Sequence, residues 1–301
     1  MYDIIGDVHG QAGLLKELLR KLGYDCKNGV FSHPERKAIF VGDFINRGPK
    51  PRETIRLVRD MAEADRALVI LGNHEINAIY YSLLDNKGKH LSKRWSRLRL
   101  DLDSTLRDFA GNTGEWNSHV GWMRCLPMFL DLGKIRVAHA CWRDENMLLL
   151  KTHLSGQKLK RSFLKQVGKN NSALSRAFWE TCKGIDFQLP RDLLVYDHKG
   201  LPHRSFRSKW WLNPSGMSFR ELSFESRFEL PDYTIPPEIV PEWDPYSPED
   251  PIVFFGHYCM KNGPRIVSDN LCCLDSCVSR KGALSAYRWQ GEEKLLPQNL
   301  F

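Results

Sequence analysis

Apolar and polar positions follow a regular rhythm in the first part of the chain. A short apolar run ends at Ile5, and leucines then recur three or four residues apart between Leu14 and Leu22. Residues with that spacing share one face of a helix, whereas a short apolar run is typical of a buried strand. This segment therefore predicts a strand, a loop and a helix, in that order.

The same rhythm occurs twice more before the first polar stretch. Apolar runs at 38–41 and 67–71 are each followed by helical spacing, around Ile55 and Val58 in one case and from Ile76 onward in the other. Strands that alternate with helices form parallel sheets, and functional groups collect at the carboxyl ends of those strands. We therefore expect three β-loop-α units whose loops meet at one edge of a sheet.

The later part of the chain contains further strand patterns. Apolar and β-branched runs predict strands at 135–138, 252–255, 270–274 and 283–289. No helical spacing separates the last three, so their sheet cannot be built from β-loop-α units alone. We expect a second sheet that is antiparallel in part.

Two stretches interrupt this scheme, at about 85–125 and about 142–251. The first is polar and favours helix, and the second passes from helical residues into the proline-rich segment 231–251. We interpret both as insertions or a lid within a single domain that spans residues 1–301, and not as linkers between independent domains.

Composition and charge narrow the class of protein. The 301 residues are 42% hydrophobic and 27% charged, which is typical of a globular protein. No apolar run reaches the roughly 18 residues that a membrane span needs, and the chain begins with a strand pattern instead of an apolar leader. We therefore expect a cytoplasmic protein with no membrane partner, whose eight cysteines are reduced thiols. The net charge of +8 is compatible with a polyanionic partner but does not require one.

Three short polar blocks follow the predicted N-terminal strands. They read Gly-Asp-Val-His-Gly from residue 6, Gly-Asp-Phe-Ile-Asn-Arg-Gly from residue 42 and Gly-Asn-His-Glu from residue 72. A single Gly-Asp pair is usually only a turn, and a single histidine usually has a structural role. Three such blocks at successive strand ends are better explained by one shared functional site.

The residue types in these blocks are suited to binding divalent metal ions. Carboxylate oxygens and imidazole nitrogens are ligands for Mn, Fe and Zn, and Asp7 and His9 can face the same side of a strand exit. Asp43 can bridge two ions with its two oxygens, while Asn73 can offer a carbonyl oxygen to the second ion. Two imidazoles should complete that second site.

The blocks resemble those of the calcineurin-like metallophosphoesterases, in particular the branch of phosphoprotein phosphatases and bacterial diadenosine tetraphosphatases, whose blocks read GDxHG, GDxxDRG and GNHE. The resemblance runs from residue 3 to about residue 289, apart from the insertions. It implies an α/β fold, a mixed two-sheet β-sandwich flanked by helices, in one catalytic domain. It also implies that His139 and His257, each after a later strand, complete the metal site.

The resemblance further implies a metal-dependent phosphoesterase. A hydroxide between two divalent ions would attack phosphorus directly; Mn is our expectation, and Fe, Zn, Co or Ni are alternatives. Arg47 and Asn73 would bind the phosphate, and His74 would protonate the leaving oxygen without binding metal. Nuclease branches commonly show Gly-His-x-His near the end, whereas this chain has Gly-His-Tyr-Cys from residue 256, which favours the phosphatase branch.

One residue departs from the family blocks: Asn46 stands where the family has aspartate. In the family that carboxylate orients the acid histidine and stabilises its charged form, and an amide has no negative charge with which to do so. Asn46 can still accept a hydrogen bond through its carbonyl oxygen, but the charged form of His74 should be less favoured. Glu75 could substitute for the missing carboxylate, or could have another role as part of the ordinary family block. Activity should be weaker, or its optimum should lie at lower pH.

Three functions remain open from the sequence. The leading hypothesis is hydrolysis of phosphomonoesters, including phosphoserine or phosphothreonine in proteins; the alternative is hydrolysis of dinucleoside polyphosphates or of other nucleotide or RNA phosphates. A third is an impaired module that binds phosphorylated partners. Basic and aromatic residues in the insertions could bind phosphates or bases, although a solvated helix face and a packed lid explain them more simply. These residues are Lys87, Lys89, Lys93, Arg94, Trp95, Arg97 and Arg99 in the first insertion and His203, Arg204, Phe206, Arg207, Lys209, Trp210 and Trp211 in the second.

Overall fold

The chain divides into two compact units in the computed structural model. The large unit comprises Met1–Cys182 and Pro251–Phe301, and the small unit comprises Lys183–Asp250. The structure describes residues 1–84, 87–90, 95–154, 158–169, 172–191, 193–197, 200–224, 228–241, 243–260, 263–280 and 282–301. Within these ranges, no helix is both long and apolar enough to cross a membrane.

The regular elements follow in chain order. The strands are β1 (Tyr2–Ile5), β2 (Asp25–Lys27), β3 (Val30–Ser32), β4 (Lys37–Phe40), β5 (Ala67–Val69), β6 (Phe129–Asp131), β7 (Ile135–Ala138), β8 (Asp186–Gln188), β9 (Val195–Tyr196), β10 (Pro202–His203), β11 (Ser205–Arg207), β12 (Ile252–Phe255), β13 (Arg265–Ser268), β14 (Leu271–Cys273) and β15 (Ala286–Trp289). The α-helices are α1 (Ala12–Lys21), α2 (Pro51–Glu63), α3 (Asn73–Ser82), α4 (Trp95–Asp101), α5 (Asp103–Asp108), α6 (Thr113–Met123), α7 (Asp144–Leu154), α8 (Arg161–Val167), α9 (Ala173–Lys183) and α10 (Phe219–Leu222). Short 3₁₀ helices lie at Pro237–Ile239, Val278–Arg280 and Pro297–Asn299.

The first sheet of the large unit has the strand order β15-β1-β4-β5. β1, β4 and β5 are parallel, with Ile4 opposite Ile39 and Ile39 opposite Leu68. β15 is antiparallel to β1. The three predicted β-loop-α units are therefore confirmed, and the carboxyl ends of β1, β4 and β5 lie side by side at one edge.

The second sheet has the order β13-β14-β12-β7-β6. β12 is parallel to both β7 and β14, whereas β6 and β13 are antiparallel to their neighbours. The expectation of a partly antiparallel second sheet is confirmed. The sequence pattern did not predict β6 and β13, because both lie at sheet edges and contain no fully buried run.

Apolar side chains fill the space between the two sheets. Ile4 and Ile39 of the first sheet share a buried cluster with Val137 and Phe254 of the second. The neighbouring Ile5 belongs to a different cluster, on the side of the helices, because successive side chains of a strand point to opposite faces. The expected fold class, a mixed two-sheet β-sandwich flanked by helices, is confirmed.

The first insertion forms the helices α4, α5 and α6, as its composition predicts. Hydrogen bonds attach it to α2: the backbone N–H of Arg52 donates to Asp108 at 2.8 Å, and the Arg52 guanidinium donates to Glu115 at 2.6 Å. The insertion is thereby held beside the carboxyl edge of the first sheet. Lys93, Arg94 and the side chain of Trp95 lie outside the described residues.

The small unit has its own apolar core. β8 pairs with β11 and β9 with β10, both antiparallel, and Phe187, Phe206 and Phe219 pack in one buried cluster. Phe206 is 1% exposed and Trp210 is 2% exposed. These two rings are therefore packed side chains and not available surfaces for stacking bases.

The cysteines differ from expectation in one respect. Cys259 and Cys277 form a disulfide, so the expectation that all eight thiols are reduced is wrong for this pair. Cys259 follows β12 and Cys277 follows β14, and these adjacent parallel strands deliver both loops to the same edge. Topology thus brings together two residues separated by 18 positions, with Cα atoms 4.8 Å apart. Cys272 and Cys273 are buried within β14, as small strand residues.

Candidate active site

The three polar blocks meet at the carboxyl edge of the first sheet. The backbone N–H groups of Val8 and His9 donate to the carbonyl oxygen of Asp43, at 3.2 and 2.8 Å. The N–H of Gly48 donates to the carbonyl of His9 at 2.9 Å, and the N–H of His74 donates to Oδ1 of Asp43 at 2.8 Å. The blocks therefore form one connected cluster of loops.

Backbone strain is concentrated in this cluster. The φ angles are positive at His9 (46°), Asp43 (49°), Asn46 (69°), Arg47 (64°) and His257 (64°). Residues with a side chain rarely adopt this conformation, which costs about 1–3 kcal/mol at each position. Such strain persists only where the surrounding contacts hold it, and it is typical of functional sites.

Two glycines allow the loops to approach one another closely. A Cβ atom at Gly72 would overlap the main chain and carboxylate of Asp43, and a Cβ atom at Gly256 would overlap the carboxylate of Asp7. Any side chain at these positions would therefore push one of the acidic residues out of place.

Glu75 organises the loop that follows β4. Its two carboxylate oxygens accept hydrogen bonds from the backbone N–H groups of Asp43 (2.8 Å), Phe44 (3.0 Å), Ile45 (3.2 Å) and Gly72 (2.9 Å). Burial, together with the neighbouring charge of Asp43, raises the pKa of Glu75 to about 7. The sequence did not predict this role for Glu75, although a glutamate three positions after a helix cap is a capping signal that could have indicated it.

Asp43 lies at the centre of the site and is 2% exposed. Its Oδ1 is 3.4 Å from Nε2 of His139, and its Oδ2 is 3.9 Å from Nε2 of both His9 and His74. Burial opposes the charge of Asp43, but the surrounding imidazoles, His139 above all, hold its pKa well below the ordinary value. A charged carboxylate therefore faces three imidazoles.

His139 enters the site from the end of β7. Its Nδ1 donates to the carbonyl oxygen of Val41 at 2.7 Å, which leaves Nε2 facing Asp43 and 3.2 Å from Oδ1 of Asn73. Burial alone would lower the pKa of His139, but Asp43 and then Asp7 outweigh it and raise that pKa to about 10. A ring held by a backbone carbonyl in this way presents Nε2 as a metal ligand.

Asp7 and His257 lie on the same side as His139. The backbone N–H of His257 donates to Oδ2 of Asp7 at 3.1 Å, and the rings of His257 and His139 meet edge-on with centroids 5.2 Å apart. Oδ1 of Asp7 is buried and has no hydrogen-bond partner among the described residues. Burial, followed by repulsion from Asp275, raises the pKa of Asp7 well above its ordinary value. A buried carboxylate oxygen without a donor is a suitable position for a cation.

Arg47 contacts His9 and Ser279. Its Nη1 donates to Nε2 of His9 at 3.1 Å and to Oγ of Ser279 at 3.2 Å. Burial lowers the pKa of His9 to about 4, so its neutral ring can accept this bond. A metal ion on Nε2 of His9 would replace the bond and leave the guanidinium free for a phosphate. Ser279 was not predicted, because it lies 232 residues from Arg47 in sequence.

Asn46 and His74 contact each other. Nδ2 of Asn46 lies 2.7 Å from Nδ1 of His74, while Oδ1 of Asn46 accepts a hydrogen bond from the Thr105 hydroxyl at 2.5 Å. The side chain of Asn46 therefore connects His74 to Thr105 of the first insertion, a contact that the sequence did not predict. Burial lowers the pKa of His74 to about 3.

Three groups of side chains in the described part of the chain have ligand atoms within 4.8 Å of one another. In one of them, Cys259, Asp275 and Cys277, the two sulfurs form the disulfide and are not available to an ion. The other two, which could each hold a divalent ion, are His9, Asp43 and His74, and Asp43, His139 and His257. The two groups share Asp43. Their carboxylate and imidazole donors suit Mn, Fe or Zn, so the residues present fit a dinuclear centre bridged by Asp43.

A cavity of about 450 Å³ opens beside these groups. It is lined by Arg47, Asn73, His74, Asn77, Leu100, Asp101, Asp103, Ser104 and Arg107. The first three residues come from the polar blocks, and the last five come from α4 and α5. A ligand in this cavity would therefore contact both the blocks and the first insertion.

Strained loops, a central carboxylate and converging imidazoles thus form a site that could hold divalent metal ions. The sequence profile of the calcineurin-like phosphoesterases matches residues 2–272. This chain belongs to that family, and the resemblance seen in the three blocks is confirmed.

Several similar proteins of this family are named as bis(5′-nucleosyl)-tetraphosphatases. The asymmetrical bis(5′-nucleosyl)-tetraphosphatase PrpE of Bacillus subtilis is 44% identical over 147 residues, which cover 48% of this chain and 59% of that protein. The symmetrical bis(5′-nucleosyl)-tetraphosphatase of Aromatoleum aromaticum is 27% identical over 234 residues, which cover 71% and 78%. This chain spans only 31% to 59% of the length of the matched asymmetrical enzymes.

A solved structure supports the fold. The cold-active protein-tyrosine phosphatase of a psychrophilic Shewanella species superimposes with a TM-score of 0.55 at 14% sequence identity, covering 95% of this chain and 74% of that one. At this level of identity the similarity concerns the fold alone.

Proposed function

We propose that this protein is a dinuclear-metal-dependent hydrolase of dinucleoside polyphosphates. The observation that carries the proposal is the position of Asp43, whose carboxylate faces imidazoles of both candidate metal groups. The names of the matched tetraphosphatases support the substrate class. We therefore place hydrolysis of dinucleoside polyphosphates above hydrolysis of phosphomonoesters, because no finding favours a phosphoprotein or an RNA as the partner.

The proposed ligands divide between two ions that share Asp43. The first ion would bind Asp7, His9 and Asp43. The second ion would bind Asp43, Asn73, His139 and His257. Divalent ions at these positions, with Mn as our expectation, would lower the pKa of water and neutralise phosphoryl oxygens.

Side chains of the chain would bind and orient the phosphate groups. Arg47 suits a bidentate contact with phosphoryl oxygens. Asn73 and His74 line the same cavity, and His74 would face the reacting group. In the reaction, the oxygen of water bonds to phosphorus and the bond from phosphorus to the bridging oxygen breaks. The bridging oxygen leaves with the electron pair on the departing nucleotide, and the proton of the water passes to solvent.

The cavity would receive the remainder of the substrate. Leu100 on its insertion side is 77% exposed, which offers an apolar contact for a base. Oγ of Ser104 is buried without a hydrogen-bond partner among the described residues. Arg107 supplies positive charge, although it is paired with Asp103 at 2.6 Å. We propose that a single catalytic domain with its first insertion forms the complete substrate site.

The test is metal reconstitution with competing substrates. Chelator-treated protein should be inactive, and Mn(II) should restore hydrolysis of diadenosine tetraphosphate faster than that of a phosphoserine peptide. Asp43→Asn should abolish the recovery, whereas Asp25→Asn, at an exposed carboxylate in β2, should not. Turnover of the peptide alone would refute the substrate class, and full activity without metal would refute the mechanism.

A further inference from the structure

We propose that Ser279 is a positioning residue for the phosphate: its hydroxyl holds one end of the Arg47 guanidinium and leaves the other edge for phosphoryl oxygens. The inference rests on the proposed function, since it concerns how this site holds the phosphate groups of its substrate. It is carried by the hydrogen bonds of Arg47 and by the contacts that fix the segment around Ser279.

The first step concerns which donors of Arg47 are engaged. A guanidinium has five N–H groups, two on each Nη atom and one on Nε. In the described part of the chain, the hydrogen-bond contacts of the Arg47 side chain both involve Nη1, which lies 3.2 Å from Oγ of Ser279 and 3.1 Å from Nε2 of His9. The edge formed by Nε and Nη2 is therefore left over, and such an edge matches two oxygens of a phosphate.

The second step separates the two partners of Arg47. His9 is a proposed ligand of the first ion, and an ion on its Nε2 would end the contact with the guanidinium. Ser279 is not among the proposed ligands, and its hydroxyl oxygen can accept from a guanidinium whether or not ions are bound. Ser279 is thus the contact of Arg47 that can persist when metal ions and a phosphate are in place.

The third step concerns the backbone that carries Ser279. This residue lies in the 3₁₀ helix Val278–Arg280, directly after Cys277, whose sulfur is bonded to that of Cys259 in the loop after β12. The carbonyl oxygen of Cys277 accepts the backbone N–H of Gly282 at 3.1 Å, which closes the turn around this helix. The disulfide and this turn restrain the segment, so the hydroxyl of Ser279 is a fixed anchor for the guanidinium.

The fourth step concerns the freedom of the Arg47 side chain. Arg47 is exposed, and a long arginine side chain loses rotamer freedom when a ligand fixes it. A hydrogen bond to a fixed hydroxyl removes part of that freedom before the ligand arrives, so less is lost on binding. One such hydrogen bond corresponds to a change in affinity of about two- to tenfold. Ser279 should therefore strengthen the binding of phosphate without contacting it.

The primary experiment measures the order of the Arg47 guanidinium by ¹⁵N relaxation of its Nε–H group in the full chain, metal-free and loaded with diamagnetic Zn(II). The Arg47→Lys variant assigns the signal. We expect an ordered group in the parent and in Ser279→Thr, which keeps the hydroxyl, and a mobile group in Ser279→Ala. The matched control is Ser268→Ala, which removes a hydroxyl that donates to Asn270 and should leave the group ordered.

The second readout is the affinity for inorganic phosphate, measured by calorimetric titration of the Zn(II)-loaded protein. Ser279→Ala should raise the Kd by about two- to tenfold with no loss of bound metal, and Ser279→Thr should restore the Kd. With Mn(II) and diadenosine tetraphosphate, Ser279→Ala should raise KM by the same factor and change kcat less, because the Arg47 contact forms in the bound substrate as well as in the transition state.

A double-mutant cycle distinguishes a positioning role from direct contact with the phosphate. Arg47→Ala removes the group through which Ser279 is proposed to act, so a further Ser279→Ala change should leave the Kd for phosphate unchanged. An additional loss of affinity in the Arg47→Ala background would overturn the proposal, because Ser279 would then act on the phosphate by another route.

An ordered Nε–H group in Ser279→Ala would also overturn the proposal. If Ser279→Ala does not fold, the isosteric pair Ser279→Thr and Ser279→Val decides, since the first keeps the hydroxyl and the second lacks it. A parent that does not cleave diadenosine tetraphosphate would refute the proposed function, and the NMR and phosphate-binding results would still decide whether Ser279 positions Arg47.

Discussion

His139 and His74 face the same carboxylate, yet different partners hold the two rings. Nδ1 of His139 lies 2.7 Å from a backbone carbonyl oxygen, that of Val41, whereas Nδ1 of His74 lies 2.7 Å from the side-chain amide of Asn46. A carbonyl oxygen can only accept, so Nδ1 of His139 carries hydrogen and Nε2 is the nitrogen left for a metal ion. A backbone partner thus fixes which nitrogen His139 offers, whereas a side chain from a neighbouring loop contacts His74.

The electrostatic environments of the two rings also differ, and they shift the pKa values of His139 and His74 in opposite directions. Both are buried, which lowers the pKa of each, but Asp43 and Asp7 reverse this effect at His139 and raise its pKa to about 10. At His74 burial prevails, and its pKa is about 3. One ring is therefore charged and the other neutral near neutral pH in the metal-free protein.

The largest expected effect comes from removing the charge that both rings face. Asp43→Asn should lower kcat/KM by about a thousandfold, because the bridging carboxylate holds both ions and metal-assisted charge stabilisation is worth several kcal/mol. Metal content after dialysis and steady-state kinetics check this. Retention of two equivalents of metal would show that Asp43 does not bridge them.

A smaller effect is expected from Glu75→Gln, which leaves Asp43 in place but weakens the support of its loop. The variant loses charge-assisted bonds to four backbone N–H groups, and changes to groups that orient metal ligands typically cost about 10–100-fold in affinity or activity. Calorimetric titration with Mn(II) measures the loss. Glu17→Gln on the exposed face of α1 is the matched control, and equal affinities in the two variants would contradict the role of Glu75.

The smallest expected effect distinguishes the rings by pH, in metal-free protein. The low pKa of His74 means that the unfolded chain binds a proton below about 6.5 while the folded chain does not, so stability falls as pH falls. From pH 7 to pH 5, His74→Asn should lose about 2 kcal/mol less than the parent. The high pKa of His139 acts in the opposite direction: its contribution is present below about 6.5 and is lost as pH rises toward 10.

Urea unfolding of His74→Asn and His139→Asn across pH 5 to 9 measures these differences. His139→Asn should flatten the alkaline side of the profile and His74→Asn the acidic side. The exposed His153→Asn should reproduce the parent profile. Identical profiles for the two buried variants would show that the rings do not differ in charge.

Much of the fold and several proposed site residues could be predicted from local patterns. The rhythm of apolar runs and helical spacing predicts β1, β4 and β5 with their helices, and parallel pairing of those strands places Asp7, Asp43 and Asn73 at one edge of the sheet. Edge strands such as β6 and β13 were not predicted, because their residues are only partly buried and so do not form a continuous apolar run.

Other contacts could not be predicted, because they join distant segments. Thr105 meets Asn46 across 59 positions, Ser279 meets Arg47 across 232, and Cys259 meets Cys277 only because β12 and β14 are neighbours. Local sequence patterns do not indicate which loops meet at the same edge of a sheet, or which helix of an insertion packs against those loops.

The sequence by itself determined the family, the order of strands and helices in the first part of the chain, and the residue types available at each strand end, because these follow from short-range periodicity and from the chemistry of the side chains. The tertiary structure alone decided which of those side chains meet and which distant residues join them. Asn46 contacts His74 at one end of its amide and Thr105 at the other, and only the fold brings Thr105 there from the first insertion.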